Sequence, residues 1–253
     1  MESNLPKIYR FESLTSTNQK LSELNKNSFI PEFSVVVATE QTAGRGQMGN
    51  SWESEPGKNL TFSIIIRPDF LPIQQQFRIT QTITLALMRL LHPLVKNVSI
   101  KWPNDIYCND KKIAGILVEN SLKGDKIEYS IVGVGLNVNQ EKFILGATNP
   151  ASLKQLTNQE FDIYELLNQI IVHFVEVYSD WLVDRNDEKL HNAYMENLYK
   201  KNGMHLFKDH KGEFYAKIAE IKPSGHLILK TKSGELRTYA FKEVSFESAR
   251  PPA

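Results

Sequence analysis

The stretch KWPNDIYCNDKKIAGILVEN, residues 101–120, decides the fold of the surrounding chain. Two β-rich runs within it, residues 105–108 and 112–119, are separated by Asn109-Asp110, a pair that is typical of hairpin turns. Because a connection this short cannot hold a crossover helix, the two strands should be antiparallel. Lys112 places a cation at the start of the apolar second strand, just after the polar corner that opens the stretch. These features make the hairpin a candidate functional segment.

Short strands and helices alternate on both sides of this hairpin. Ser16 or Thr17 can cap a helix that extends to about Lys26. Apolar residues recur at helical spacing in residues 75–91 and again in residues 163–182. β-branched runs predict further strands at residues 8–11, 33–39, 59–67, 98–102 and 128–138. We therefore predict an α/β (α+β) fold with a mixed, largely antiparallel sheet and flanking helices.

Beyond residue 200 the pattern changes to short strands alone, after a charged and helical stretch at residues 184–201. The strands are predicted at residues 204–208, 213–221, 227–231 and 235–241, with turns at Pro223-Ser224-Gly225 and Ser233-Gly234. Evenly spaced short strands of this kind form a small barrel. We place a larger α/β domain in residues 1–200 and a small β-barrel domain in residues 201–253.

The composition argues against several classes of protein. The formal net charge is +1, which gives no overall field that would attract nucleic acid or a membrane surface. The single cysteine, Cys108, excludes an intramolecular disulfide and is typical of a reducing compartment. The sequence has neither the core of a signal peptide nor an apolar run of membrane-spanning length. We expect a soluble cytoplasmic protein without a membrane partner.

A glycine-rich stretch, QTAGRGQMGNSW, occupies residues 41–52. Gly44, Gly46 and Gly49 have the G-x-G-x-x-G spacing of dinucleotide-binding turns, but such a turn needs a helix directly after it, and a β-rich run follows here. No Gly-Lys-Ser/Thr follows either, which excludes a Walker loop. The segment from about residue 39 to residue 57 is therefore either a lid over a site or an ordinary surface loop.

Glycines also thin a buried strand in GVGLNVN, residues 133–139. Because glycine weakens a strand, Gly133 and Gly135 suggest that another group packs closely against the main chain, and Gly115 of the hairpin suggests the same. Tight strand packing is the simpler explanation for each glycine alone. Together with the lid and the cation at Lys112, they favour a binding site.

Taken in order, these motifs resemble the biotin–protein ligases, also called biotin–[acetyl-CoA-carboxylase] ligases. The similarity covers nearly the whole chain, including the small β tail. The motifs are S-T-N-Q at 16–19, Q-T-A-G-R-G at 41–46 with Trp52, K-W-P-N-D at 101–105, K-x-A-G-I-L at 112–117 and G-x-G-L-N at 133–137. The resemblance implies a catalytic domain related to class II aminoacyl-tRNA synthetases and an SH3-like barrel. The catalytic pattern begins by residue 8. The chain therefore resembles the short monofunctional type of the family, which lacks an N-terminal DNA-binding domain, and we expect no specific DNA binding.

The reaction implied by this resemblance has two steps. Biotin's carboxylate attacks the α-phosphate of ATP, which gives biotinyl-5′-AMP and pyrophosphate. A lysine of a biotin carboxyl carrier protein or domain then attacks the acyl carbonyl and releases AMP. Because the first step joins two anions, fixed cations must stabilise it: we assign Lys112 and Arg45, with Lys101 as an auxiliary charge. Mg²⁺ should act through the phosphates, with Asp105 as the nearest carboxylate by motif.

The resemblance also assigns residues to each substrate. Biotin's ureido ring is neutral, so its pocket needs hydroxyls and amides, and the valeryl chain needs an apolar channel lined by close backbone. The predicted biotin-binding residues are Ser16, Thr17, Asn18, Gln41, Gly44, Arg45, Gly46, Gln47, Lys112, Gly115, Gly133 and Gly135. The predicted ATP-binding residues are Arg45, Trp52, Lys101, Asn104, Asp105, Lys112 and Asn137.

Other interpretations stay open at this point. One is a lipoate–protein ligase-like acyltransferase, against which the combination of K-W-P-N-D and G-R-G-Q argues. Another is a non-catalytic module that binds biotin, a carrier protein or RNA, against which Lys112 argues. The oligomeric state is either a monomer or a homodimer, since the family contains both.

One position departs from the family pattern. Many members have arginine where this chain has Gln47, and the loss of that cation should weaken the hold on the adenylate phosphate. We predict that Gln47→Arg slows the dissociation of biotinyl-AMP, measured by chase of the labelled adenylate from wild type and variant. An unchanged dissociation rate would contradict this assignment.

Overall fold

A seven-stranded sheet forms the centre of the protein in the computed structural model, which describes residues 5–143, 149–184 and 186–247. The strands are β1 Ile8–Leu14, β2 Val35–Gln41, β3 Leu60–Ile66, β4 Val98–Lys101, β5 Asp105–Cys108, β6 Lys111–Lys123 and β7 Lys126–Leu136. Their order is β1-β2-β3-β7-β6-β5-β4. β1 and β2 are parallel, and every other neighbouring pair is antiparallel. The prediction of a mixed, largely antiparallel sheet is confirmed.

The β5–β6 hairpin turns where the sequence predicts it. Asn109 has a φ of 53°, a left-handed conformation that asparagine adopts more readily than most residues. The pairing puts Asp105 opposite Gly115, and a register shift after Ile106 puts Tyr107 opposite Lys112. On its other edge β6 pairs with β7 from Ala114 to Lys123, with Gly115 opposite Gly135. The hairpin thereby aligns two of the glycine motifs across one strand pair.

Helices cover both faces of the sheet. They are α1 Thr17–Asn27, α2 Phe77–Leu91, α3 Leu153–Thr157, α4 Ile163–Asp184 and α5 Asp187–Glu196. α2 is buried along nearly its whole length because the sheet lies beneath it and α4 and α5 lie against it. α1 packs on the opposite face, where Leu21 joins Val36, Ile65 and Ile131 in a smaller core. Each face is thus closed by an apolar helix surface.

Two helices differ from the sequence prediction. The helix expected over residues 184–201 is shorter, since α5 starts only after Asn186, whose side chain accepts a hydrogen bond from the Lys189 amide (2.8 Å). α3 was not predicted, although Ser152 and Gln155 form a capping box that was a readable signal. Both differences arise from local capping rather than from the hydrophobic pattern.

A second sheet follows the last helix. Its strands are β8 His205–Asp209, β9 Gly212–Ile221, β10 Leu227–Thr231, β11 Leu236–Tyr239 and β12 Ser245–Phe246, in the order β11-β10-β9-β8-β12. β12, of only two residues, was not predicted. The β9–β10 turn docks on the first sheet: the Trp102 indole N–H donates to the Gly225 carbonyl (2.8 Å), and a Cβ at Gly225 would lie 2.8 Å from the Phe77 ring. The SH3-like description and the division at residue 200 stay predictions.

No helix in the described part of the chain is long and apolar enough to cross a bilayer.

A buried hydrogen bond ties α5 to the polar corner before β5. The hydroxyl of Tyr194, a side chain with no exposed surface, donates to the Pro103 carbonyl at 2.9 Å. Tyr194→Phe should lower the free energy of unfolding by about 1–2 kcal/mol, because the carbonyl is left buried without a partner. Urea denaturation measures this. Tyr215→Phe, which removes an exposed hydroxyl, is the matched control and should change stability by less than about 0.5 kcal/mol; equal effects in the two variants would refute the assignment.

Candidate active site

An open cleft of about 640 Å³ lies over the first half of β6 and the last residues of β7. Its walls come from the start of α1, the glycine-rich segment, the β5–β6 hairpin and the second sheet. The predicted site residues that line it are Ser16, Thr17, Asn18, Gln41, Arg45, Gly46, Gln47, Trp52, Asn104, Asp105, Lys112, Gly115, Gly133 and Gly135. The structure therefore brings together most of the residues that the sequence singles out, from segments far apart in the chain.

The floor of the cleft is bare backbone. Gly115 and Gly135 face each other across the β6–β7 pair, and the Trp52 indole lies over both. A Cβ at Gly115 would be 3.1 Å from the indole ring, and one at Gly135 would overlap it. At Gly133 a Cβ would overlap the Asn18 carboxamide. The predicted close approach to the main chain is therefore present, and the groups that approach are the Trp52 and Asn18 side chains. The Trp52 N–H is buried and has no hydrogen-bond partner among the described residues.

Hydroxyl and amide groups form a connected chain at one end of the cleft. The Gln41 side-chain oxygen accepts from the Thr17 amide (2.8 Å) and the Thr17 hydroxyl (3.1 Å). The Ser63 hydroxyl lies 2.7 Å from the Thr17 hydroxyl and 2.5 Å from the Asn18 carbonyl oxygen. The Asn18 amide donates to Glu119 at 2.7 Å. These contacts fix the orientation of each polar group before any ligand arrives.

Ser63 and Glu119 are site residues that sequence reasoning missed. Ser63 has no exposed surface and sits on β3 directly opposite Gly133 of β7. A serine inside the otherwise apolar run of β3 was the available signal, because a buried hydroxyl needs a partner. Glu119 gave no comparable signal, since a glutamate near the end of a strand is usually a solvated surface residue.

Two cations line the cleft, each beside a carboxylate. The Lys112 ammonium lies 2.7 Å from Asp105, with the two side chains only 18% and 23% exposed. The Arg45 guanidinium lies 2.9 Å from Glu119 in a more exposed pair. The Lys112 backbone is held by the Asn149 carbonyl, to which its amide donates at 2.8 Å. An anionic ligand would meet positive charge that is already positioned.

Lys101, predicted at the nucleotide, does not line the cleft. Its ammonium lies 4.5 Å from the centre of the Tyr107 ring, 5.9 Å from that of Tyr199 and 5.7 Å from that of Phe246. Burial lowers the pKa of Lys101, an effect opposed by the nearby Asp105 carboxylate. The residue joins the two sheets through cation–π contacts.

Gly44 and Asn137 support the cleft without lining it. A Cβ at Gly44 would overlap the Trp52 carbonyl. The Trp52 amide donates to the Gly44 carbonyl at 2.9 Å. The buried Asn137 side chain donates to the Ala151 carbonyl at 3.1 Å. Glycine is needed at position 44 so that this residue and Trp52 can approach each other within the lid. Asn137 is used to hold the segment that follows the sheet.

The second sheet contributes Phe241, which the sequence did not mark as a site residue. Phe241 lines the cleft and also an adjoining cavity of about 730 Å³, which is bounded by Phe77, Trp102 and His226. Gln47 lies between the two spaces, and its side-chain oxygen is buried without a partner among the described residues. The site is therefore completed by residues of the C-terminal sheet.

Metal donors are scarce around the cleft. Among residues 5–143, 149–184 and 186–247, no three His, Cys, Asp or Glu side chains come close enough together to hold an ion. Of the described residues that line the cleft, Asp105 is the one that carries a carboxylate. Mg²⁺ commonly uses one or two carboxylates and takes its other ligands from phosphates and water. The donor set suits an ion that is held mainly by a bound nucleotide.

Known proteins share the sequence pattern and the fold of this chain. The sequence model of the Biotin/lipoate A/B protein ligase family matches residues 10–137. The bifunctional ligase/repressor BirA of Bacillus spizizenii is 31% identical over 236 residues, which are 91% of this chain and 71% of that protein. The fold is similar to that of a biotin protein ligase from Aquifex aeolicus in complex with biotin and ATP, with a TM-score of 0.74 at 22% identity over 97% of this chain and 100% of that one. A biotin protein ligase from Leishmania major in complex with biotinyl-5-AMP has a TM-score of 0.65 at 25% identity, over 93% and 99% of the two chains. This chain belongs to the Biotin/lipoate A/B protein ligase family.

Proposed function

We propose that this protein is an ATP-dependent biotin–protein ligase that forms biotinyl-5′-AMP and then transfers biotin to a lysine of a biotin carboxyl carrier protein or domain. The observation that carries the proposal is one cleft with two chemically different ends. A chain of neutral hydroxyls and amides ends at Asn18, beside the Leu117 carbonyl of β6, and the Lys112 ammonium lies towards the start of the same strand. Arg45 lines the cleft from the glycine-rich segment, beside Glu119. A neutral ring joined to a carboxylate, with a nucleotide beyond it, matches that arrangement.

The neutral end suits a ureido ring. Thr17, Asn18 and Gln41 present donors and acceptors that are already oriented by one another. A ligand that pairs with the remaining donor and acceptor capacity of these groups replaces their hydrogen bonds to water, whereas a ligand without a polar ring displaces that water and gives nothing in return. The selection of biotin over lipoate, whose ring carries no such groups, follows from this cost.

The cationic end suits the adenylation step. The biotin carboxylate oxygen forms a bond to the α-phosphorus as the bond to the pyrophosphate oxygen breaks, and negative charge grows on the phosphoryl oxygens. We assign the stabilisation of this charge to Lys112, on a fixed strand, and to Arg45, which the lid carries and which pairs with Glu119 in the structure. Positioned positive charge of this kind stabilises the transition state more than it stabilises the separate reactants. Mg²⁺ bound to the ATP phosphates would add further charge screening, with Asp105 as the carboxylate at hand.

The glycine-rich segment excludes water. Biotinyl-AMP is a mixed anhydride that water hydrolyses, so it must be covered until the acceptor lysine arrives. Trp52 lies across the glycine floor. Once a ligand has displaced the indole from the floor, the indole can pack against that ligand. In the second step the lysine amine forms the new amide bond, the acyl–oxygen bond to AMP breaks, and the amine loses its proton.

The adenylation step is tested directly by biotin-dependent exchange of labelled pyrophosphate into ATP. We expect exchange with biotin and Mg²⁺, and none above background with lipoate or octanoate, because those acids leave the ureido partners unpaired. Exchange with lipoate or octanoate but not biotin would assign the protein to lipoate chemistry. No exchange with any of the three acids would favour a binding module.

The role of Lys112 is tested by substitution. Lys112→Ala should reduce the rate of adenylate formation by about 100-fold or more, since one fixed donor at a developing charge is worth a few kcal/mol. Lys111→Ala is the matched control, because it removes the same charge from an exposed side chain one residue earlier. Single-turnover formation of biotinyl-AMP is the measurement.

A double variant separates the missing ammonium from the orphaned carboxylate. Lys112→Ala leaves Asp105 without its partner, and Lys112→Ala combined with Asp105→Ala removes that unpaired charge. If Lys112 acts on the phosphate, the double variant stays as slow as the single one, and Asp105→Ala alone, which keeps the ammonium, is faster than both. Recovery towards the wild-type rate in the double variant would show that Lys112 only neutralises Asp105.

A further inference from the structure

We propose that Lys242, in the turn after β11, is a positioning residue that holds the tip of the glycine-rich lid over the cleft and so retains the adenylate. The contact between Lys242 and the lid is seen in the structure, and its effect on the adenylate rests on the proposed function. It gives the C-terminal sheet a part in the reaction: this sheet fastens the lid from outside.

The contact joins segments far apart in the sequence. The Lys242 ammonium donates to the Met48 carbonyl at 2.8 Å, and the Asn50 side-chain oxygen lies 3.4 Å away. Phe241, the residue before it, lines the cleft. One short turn therefore supplies both a wall of the cleft and a hydrogen bond to the lid that covers it.

The lid is closed at its base by its own backbone. The Trp52 amide donates to the Gly44 carbonyl at 2.9 Å, and the Gly46 amide donates to the Asn50 carbonyl at 2.6 Å. Arg45 anchors one side through Glu119. The tip beyond these contacts is exposed, with Met48 67% accessible. Lys242 reaches this tip, which the base contacts leave uncovered.

The backbone on both sides of the contact adopts left-handed conformations. Lys242 has a φ of 69° and Met48 a φ of 55°, values at which glycine is the least strained residue. Lysine at position 242 adopts a backbone conformation that is unfavourable for it, and its side chain reaches the lid. A glycine would relax the turn and lose the contact, and this difference makes the role testable.

The consequence concerns retention of the intermediate. Opening of a lid sets the rate at which a sequestered intermediate escapes. A charge-assisted hydrogen bond to the lid tip opposes opening without touching the reacting atoms. Lys242 should therefore affect the escape of biotinyl-AMP and leave the rate of its formation nearly unchanged.

The experiment compares wild type with Lys242→Ala, Lys242→Gly and Lys242→Arg. Lys230→Ala, which removes an exposed lysine from β10 of the same sheet, controls for net charge. The first readout is tryptic cleavage after Arg45 in ligand-free protein, followed by mass. The second is the dissociation of biotinyl-AMP in a chase experiment, beside single-turnover adenylate formation.

We expect Lys242→Ala and Lys242→Gly to be cleaved faster after Arg45 and to release the adenylate about three- to tenfold faster, with formation rates near wild type. Lys242→Arg should restore both readouts, and Lys230→Ala should match wild type. If Lys242→Gly behaves as wild type in both readouts, the turn backbone and not the ammonium matters, and the proposal is wrong. Absence of biotin-dependent exchange in wild type would refute the proposed function alone, because the cleavage comparison still tests the contact.

Discussion

The absence of side chains on one strip of the sheet is the constraint on which the rest of the site depends. Gly115 of β6 and Gly135 of β7 face each other, and together they leave a surface on which a flat group can lie directly against the backbone. The Trp52 indole uses that surface in the structure. An alanine at position 135 would overlap the indole, so the lid could not close in its present geometry. Apolar cores pack against both faces of the sheet beside the cleft, and they fix the strands that carry these glycines.

One carboxylate links the neutral polar chain to the lid. The same Glu119 oxygen accepts from the Asn18 amide at 2.7 Å and from the Arg45 guanidinium at 2.9 Å. Asn18 belongs to the neutral chain that we assign to biotin, and Arg45 belongs to the lid. A ligand that draws Arg45 towards a phosphate leaves Glu119 hydrogen-bonded to Asn18 alone. A ligand that reorients Asn18 leaves Glu119 paired with Arg45 alone. A ligand that binds to either residue therefore alters the charge environment of the other, without any movement of the sheet.

The sequence predicts features that depend on neighbours along the chain, and it fails where distant segments meet. The β5–β6 hairpin was predictable because Asn109-Asp110 is itself typical of a turn, and the long apolar stripes of α2 and α4 specify their helices.

Lys101 was assigned to the nucleotide because it belongs to a conspicuous motif. Its actual surroundings include Tyr199 and Phe246, which come from about a hundred or more residues later and whose approach no local pattern reveals. Ser63 joins the site only through its register opposite Gly133, and strand register over such a separation is a tertiary property. Phe241 enters the cleft for the same reason, since the docking of one sheet on another decides its position.

The energetics of the lid favour control by Trp52, with the polar contacts as modulators. The Arg45–Glu119 pair is largely exposed, and pairs of that kind contribute about 0–1 kcal/mol. Covering an aromatic side chain is worth about 2 kcal/mol, so the indole on the glycine floor contributes more than the ion pair to holding the lid shut. Its N–H is nevertheless buried without a partner among the described residues, which offsets part of that gain by about 1–3 kcal/mol. The closed arrangement without ligand is thus only marginally favourable. A substrate that occupies the floor and offers the indole a hydrogen-bond acceptor can displace it at small cost and then be covered by it, which is the behaviour required of a lid that must both admit biotin and protect its adenylate.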